Sequence, residues 1–427
     1  VPAHGPAALL VCLIFALPAC LIIHRVDSEN GFLLRVFIIA LLIRVLLGTL
    51  IFSLDLHEFF GPDAYSYDQY ASQLLKYWQG QAFHNSIDIR GGGAGNWGMY
   101  YLIAAVYAVI GRNMLATQYI NAVVGAATAP VIFLCAKHIF DNRRVSRIAT
   151  LCVAFFPSLV LWSSIGLKDA LVVFTLSVTM LATLNLSDKF NFKYLVILIC
   201  ALFCLFVLRF YIFYMVITAI GGTFVIGLRT LTIQSFLRQL AIIVLIGLSL
   251  TYLGVLRAAS TQVEVFGDLQ AVQNSRLDQA QTGQSGFARD ADVSTVSGVL
   301  TTIPLGLVYL LFAPFPWQID NLRQGITLPE MIVWWCSFPL LAIGLFFTIR
   351  YRLRRALPIL LFTIMLTFAY SIVQGNVGTA YRVRAQLLVF YFIQIAVGFV
   401  VLRERSENKR QQLAVAKGWT RVKAADD

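Results

Sequence analysis

Charge is what this sequence has least of. Asp, Glu, Lys and Arg make up 13% of its 427 residues, where soluble globular proteins carry about 25%. Hydrophobic residues reach 59%, and the mean hydropathy is +0.77. Long polar stretches are missing as well. The longest, Arg257–Gly298, is rich in Gln, Ser, Asp and Gly, which makes a large loop rather than a second, soluble domain. Histidine is sparse: five scattered residues exclude a histidine-built metal centre. The seven cysteines (Cys12, Cys20, Cys135, Cys152, Cys200, Cys204, Cys336) all fall within apolar runs, which excludes a disulfide framework and a structural zinc. Cys200 and Cys204 share a helix face and read as small buried hydrophobes. No basic segment precedes the first apolar run, so 7–23 reads as a span rather than a signal peptide. Leu17-Pro18-Ala19-Cys20 only faintly resembles a lipoprotein cleavage box.

What is present in abundance is runs long enough to cross a bilayer, which takes about 20 apolar residues in a helix. They lie at 7–23, 31–54, 113–137, 147–166, 169–187, 194–209, 211–228, 239–256, 330–349, 356–373 and 385–402. The expectation is an all-α, polytopic membrane helix bundle of eleven transmembrane helices, forming a single membrane domain over 1–427. Two shorter runs, 97–111 and 299–313, would each cover only about 22 Å as a helix. Basic residues favour cytoplasmic loops. They cluster at Lys137–Arg147, at Arg350–Arg355, in the tail 403–427, at Lys189 with Lys193, and at Arg229 with Arg238. All five segments fall on one side if the two short runs do not cross. The net charge of +12 is then mostly this inside bias, with some affinity for anionic lipid, and calls for no nucleic acid.

The opposite face carries the first outer loop, 55–112, the Gly166–Asp169 turn, Arg209–Tyr211, the large loop 257–329 and Gln374–Arg384. In the first loop, Gly61-Pro62 is a stop-and-turn signal and Asp63 follows at once, where it can cap a new helix. Tyr67, Tyr70, Leu74 and Tyr77 then recur at helical spacing, as in an interfacial amphipathic helix. Asp169, after Lys168, stands in the same way at the start of a span. Both carboxylates therefore emerge on one face at one depth, each either a simple cap or a working group. Arg209 interrupts an apolar stretch, marking a tight outer turn or a charge inside the bundle. Arg382 and Arg384 precede the last span; they suit phosphate, or they snorkel, as Lys168 would as an interfacial anchor. Arg44 lies mid-span and must meet a buried acid or backbone carbonyls.

In order and spacing, these features resemble the C-type (GT-C) superfamily of membrane glycosyltransferases, especially the branch of protein O-mannosyltransferases and lipid A aminoarabinose transferases. An Asp follows Gly-Pro in the first outer loop, then come Tyr67-x-x-x-Ala71 and Trp78-x-Gly80. An apolar helix ends in Gly111, and the next carries Asn121 and Gly125. Phe140-Asp141-Asn142-Arg143-Arg144 leads to Phe156-Pro157, Ser163 and Lys168-Asp169. The likeness covers 55–185 and thins beyond it. It implies Asp63 as catalytic base, Asp169 as a second acid, and Arg209, Arg382, Arg384 and Lys168 as residues toward the lipid phosphate. Two departures stand out. The second of two adjacent acids is replaced by Ala64, and a His-Pro-Pro-like stretch by Gly91–Trp97.

The chemistry is coherent on its own terms. A polyprenyl phosphate leaves as a stable anion, so one carboxylate must deprotonate an acceptor hydroxyl and one or two arginines must neutralise the phosphate. The expected partners are a polyprenyl-phosphate sugar, a glycan, lipid or protein acceptor, and membrane lipids. The expected place is a bacterial inner membrane with the site facing the periplasm. No cofactor is required, although carboxylate and phosphate oxygens together suit Mg²⁺ or Mn²⁺. Three other readings remain. A polysaccharide polymerase or ligase would use arginines of 257–298; a flippase would show internal repeats, and none is visible; a non-catalytic subunit of a glycan-assembly complex would keep the acids as relics.

Overall fold

The structure is a computed structural model that describes residues 4–27, 30–81, 97–226, 233–255, 257–259, 262, 268–282, 285–319 and 321–423. The described residues are helical almost throughout. Their helices are α1 Gly5–Val26, α2 Phe32–Ser53, α3 His57–Phe60, α4 Asp63–Trp78, α5 Gly98–Ile110, α6 Met114–Phe140, α7 Arg143–Phe155, α8 Pro157–Ser164 and α9 Asp169–Asp188. They continue as α10 Phe192–Leu208, α11 Phe210–Ile226, α12 Ile233–Tyr252, α13 Leu269–Thr282, α14 Val296–Phe312, α15 Leu322–Tyr351, α16 Leu353–Val373, α17 Val377–Val383 and α18 Ala385–Lys423. Gly91–Asn96 and Arg229 lie outside the described residues.

The chain is a polytopic helical membrane protein. Each of the eleven apolar runs coincides with a helix or a bent pair. Among the described residues seven helices are long and apolar enough to cross a membrane, or eight if the pair α7–α8, bent by 50°, is counted as one broken span. Phe192–Leu208, Phe210–Phe224 and Gln239–Tyr252 are shorter. The bend was not legible in the run 147–166, and its cause is Pro157, which cannot donate to the helix before it. The break frees two backbone groups deep in the bundle. Arg44 Nη1 donates to the Ala154 carbonyl at 2.8 Å, and Glu330 Oε2 accepts from the Ser158 N–H at 2.7 Å. The mid-span arginine therefore meets carbonyls rather than an acid, with Nη1 also on Ala40 O at 3.0 Å and Nε on Ser163 Oγ at 2.8 Å.

Within lipid there is no hydrophobic drive between helices, so close packing relies on small residues. The pair α15–α18 illustrates it: a Cβ on Gly344 would sit 1.8 Å from the Gln394 carbonyl oxygen, and one on Gly398 2.0 Å from that of Leu340.

The bundle has two chemically different ends. One holds the basic loop 137–147 with the start of the tail and the end of α9, tied by Arg144–Glu407 at 2.9 Å and His138–Asp188 at 3.1 Å. The other holds α4, α5, α17 and the first residues of α9. Both ends of α5 lie there: Gly98 packs on Val207, two residues from Arg209, and Arg112 pairs with Asp68 of α4. The short run 97–111 therefore does not traverse the bundle. The large loop docks on the same end through an antiparallel bridge, Gly286 to Asn376.

Candidate active site

Asp63 and Asp169 each open a helix, α4 and α9, and neither side chain caps it. Their first-turn positions favour a negative charge through the helix dipole while leaving the carboxylates for other partners. Asp169 is placed by its neighbours. Asn121 Nδ2 donates to the carbonyls of Ile165 at 2.7 Å and Leu167 at 2.6 Å, fixing the turn that delivers Lys168 and Asp169. One helical turn further along α6, Gly125 leaves room for Ser163; a Cβ there would stand 2.3 Å from the serine Cβ.

Three arginine–carboxylate ion pairs close the site. Arg209, the residue at the break between α10 and α11, sends Nη2 to Asp169 Oδ1 at 2.6 Å and Nη1 to the Tyr211 hydroxyl at 2.8 Å. Arg382, in the last turn of α17, sends Nε to Asp169 Oδ2 at 2.7 Å and Nη1 to Asp63 Oδ2 at 2.6 Å. One guanidinium thus bridges the two acids. The acids differ in access: the Asp63 side chain is 53% exposed and that of Asp169 is 1% exposed. Burial alone would lower the Arg382 pKa, but Asp169 and Asp63 together push it above the ordinary arginine value. A narrow crevice, little larger than a water molecule, is lined by Asp169, Arg44 and Ser163.

Residues 97–253 match the family described as dolichyl-phosphate-mannose-protein mannosyltransferase. Among solved structures, the archaeal oligosaccharyltransferase AglB from Archaeoglobus fulgidus, in complex with an inhibitory peptide and a dolichol-phosphate, matches with a TM-score of 0.52 at 15% identity. The match covers 91% of this chain and 52% of AglB, so the chain spans about half the length of that protein. The likeness in sequence is thus to a mannosyltransferase family over 97–253, and the likeness in fold is to AglB. A crystal structure of the oligosaccharyltransferase from A. fulgidus, complexed with Zn and sulfate, matches at 16% identity over 76% of this chain and 43% of its own, with a TM-score of 0.45. No curated protein matches the sequence.

Of the six site residues expected from the sequence, four meet directly: Asp63, Asp169, Arg209 and Arg382. Lys168 lies close enough to feel all four charges; burial first, then Arg209, pull its ammonium down to about 7. Arg384 does not join them. Its Nε donates to the Leu310 carbonyl at 2.7 Å, its Nη2 to that of Ala313, and its Nη1 to Met331 Sδ at 3.1 Å. It ties down the C-terminal end of α14, and burial pulls its pKa to about 10. The reason is helical geometry: residues two apart point to nearly opposite sides, about 200° round the axis.

One arginine of the large loop, Arg276, is likewise structural. Arg276 Nη1 donates to the carbonyls of Ile372 at 2.8 Å and Gln374 at 2.6 Å, at the end of α16. With the Phe287 N–H on Gly375 O at 2.9 Å and the Val377 N–H on Ser285 O at 3.0 Å, it anchors the segment that carries Arg382.

Sequence reasoning missed Glu330 and Asp68. Glu330 is the lone acid of α15, a signal that could have marked it. Asp68 shares the amphipathic face of α4 and clips it to α5 through Arg112 and the Tyr107 hydroxyl, the latter at 2.6 Å.

A divalent cation fits this donor set poorly. Mg²⁺ needs near-octahedral oxygens, yet both oxygens of Asp169 and one of Asp63 already accept from arginine. Among the described residues no three His, Cys, Asp or Glu side chains gather to hold a metal.

Proposed function

We propose that this chain moves a sugar from a polyprenyl-phosphate donor to a hydroxyl of a glycan, lipid or protein acceptor, in a single inverting displacement with Asp63 as general base. The observation that carries this reading is the Arg382 guanidinium held between an accessible and a buried carboxylate. The Asp63 carboxylate takes the proton of the acceptor hydroxyl as its oxygen bonds to the anomeric carbon. The bond from that carbon to the phosphate oxygen breaks, and its electron pair leaves with the phosphate. Arg382 and Lys168 receive that growing charge, so no general acid is needed. A donor phosphate competes with Asp63 for Arg382 Nη1, so donor binding itself frees the base. Asp169, with both oxygens occupied, acts as the positioning residue for Arg209 and Arg382.

The mannosyltransferase family and the dolichol-phosphate carried by AglB support a lipid-phosphate donor. The gathering of basic loops at the other end supports an outward-facing site, in a bacterial inner membrane the periplasmic face. The test is direct. Purified protein is incubated with radiolabelled polyprenyl-phosphate sugars and candidate acceptors, and both glycosylated acceptor and released polyprenyl phosphate are measured. Transfer to a growing polysaccharide end would favour the polymerase or ligase reading. Movement of donor across proteoliposomes without transfer would favour the flippase.

Two further results are expected. Lys168 is charged below about pH 7 and neutral above it, and the charged form is the one that attracts phosphate. The donor kcat/KM, which reports the free enzyme, should therefore fall as pH rises through 7. Lys168→Arg should flatten that limb, since arginine keeps its charge; an unchanged profile would remove Lys168 from phosphate binding. Arg382 supplies the positive charge that a divalent cation would bring, so EDTA should leave transfer unchanged. Activity lost on chelation and restored only by Mg²⁺ or Mn²⁺ would contradict this assignment.

A further inference from the structure

Three tyrosines stand beside Asp63 and take no part in the chemistry above. Tyr67 and Tyr70 follow Asp63 by one and two turns of α4, which puts them on its face of the helix. Tyr100 lies in the first turn of α5. Its ring packs against both, with centroids 5.6 Å from Tyr67 and 5.2 Å from Tyr70, each at an interplanar angle of 49°. Tyr67 is also within reach of the charges of Asp63, Asp169, Arg209 and Arg382, and Tyr100 of that of Asp63. Trp78 and Tyr101, 44% and 39% exposed, serve as the interfacial anchors of this helix pair. The three tyrosines do not: Tyr67 is 7% exposed, and Tyr70 and Tyr100 are partly buried.

Their hydroxyls set them apart. At the same end of the bundle, the Tyr65 and Tyr107 hydroxyls donate to Asp55 and Asp68, and that of Tyr211 accepts from Arg209. Among the described residues, the hydroxyls of Tyr67, Tyr70 and Tyr100 have no hydrogen-bond partner, and none of the three is sealed from open space. Buried tyrosine hydroxyls ordinarily find a partner, so three unbonded ones beside a general base leave capacity for a ligand. Burial first, then Tyr70 and Asp63, hold the Tyr100 pKa above its ordinary value, and burial does the same for Tyr67. The phenols therefore stay neutral and can both donate and accept. A pyranose is their complement: its C–H face suits the negative face of an aromatic ring, and its rim of hydroxyls suits the phenols. Direction follows from the displacement. The phosphate leaves toward Arg382 and Lys168, so the attacking hydroxyl enters from the side of Asp63, which is the side of α4. We propose that Tyr67, Tyr70 and Tyr100 form the acceptor subsite, and that the acceptor hydroxyl is carried on a pyranose ring. This narrows the acceptor to a glycan and rests on Asp63 as the base.

The experiment uses the full chain in a sugar-free detergent and reads binding by saturation-transfer difference NMR. The probes are the methyl pyranosides of glucose, galactose, mannose and N-acetylglucosamine, with a serine-containing hexapeptide and dihexanoylglycerol as competitors. At least one pyranoside should bind saturably, and neither competitor should displace it. Tyr70→Phe and Tyr100→Phe keep the rings and the packing and remove only the hydroxyls. Each should weaken pyranoside binding roughly three- to tenfold, the size of one neutral hydrogen bond. In the transfer assay the same variants should raise acceptor KM and leave kcat near wild type, the mark of lost uniform binding. Asp63→Asn should abolish transfer yet bind the pyranoside within about threefold of wild type. Binding that depends on the tyrosine hydroxyls without any transfer would fault the transferase reading and keep the sugar subsite. No saturable pyranoside binding, displacement by the peptide or the lipid alcohol, or binding that both Phe variants keep in full would overturn the proposal. So would a rise confined to donor KM, which would assign the ring to the donor's own sugar.

Discussion

Asp63→Asn is expected to cut sugar transfer by about 10²- to 10⁴-fold in kcat, the range for losing a general base. The amide keeps the shape of the side chain and removes its negative charge, and with it the capacity to take a proton. The fold should survive, because the Asp63 side chain is half exposed and its one ion pair faces outward. Donor KM should hold or fall, since the change removes the negative charge that competes with the donor phosphate for Arg382 Nη1. That split between kcat and KM separates a base from a binding residue. Asp63→Glu, which restores a carboxylate one methylene away, should recover part of the rate. Transfer by the Asn variant at more than a tenth of the wild-type rate would sink the assignment.

Asp169→Ala should act in the opposite way, on the fold first. Asp169 is fully buried and bonds to both Arg209 and Arg382. Removing it leaves the Arg209 guanidinium, itself 7% exposed, without its counter-charge. Breaking a buried pair from one side costs about 3–5 kcal/mol. The measurement is a lowered unfolding midpoint in detergent, together with loss of transfer. A second variant separates the two effects. Asp169→Leu combined with Arg209→Met removes both charges and fills the space, so most of the stability should return. Transfer should not return, because Arg382 loses the group that aims it between the acids. Recovery of activity along with stability would mean that Asp169 serves only the fold.

The site illustrates which features can be read ahead of a structure. Asp63, Asp169, Arg209 and Arg382 are charged residues at the ends of apolar runs, where a charge stands out against its neighbours. Asn121 and Gly125 are legible only as parts of a family pattern; their reason is geometric, two carbonyls and one serine in the next helices. Arg384 was indistinguishable from Arg382 in sequence, and only the turn of α17 separates their tasks. Arg44 was visible as an anomaly, yet its partner depended on a break at Pro157 that hydropathy does not register.

The sequence by itself determined that this is a helical membrane protein and where its apolar helices lie. Those are local properties, since the transfer of a side chain into lipid depends on that residue and a few neighbours along the helix. Only the tertiary structure decided which cation meets which anion. Arg382 reaches Asp169 across 213 residues of chain and Asp63 across 319, and such meetings are set by how helices pack on one another, for which neither hydropathy nor spacing holds a record.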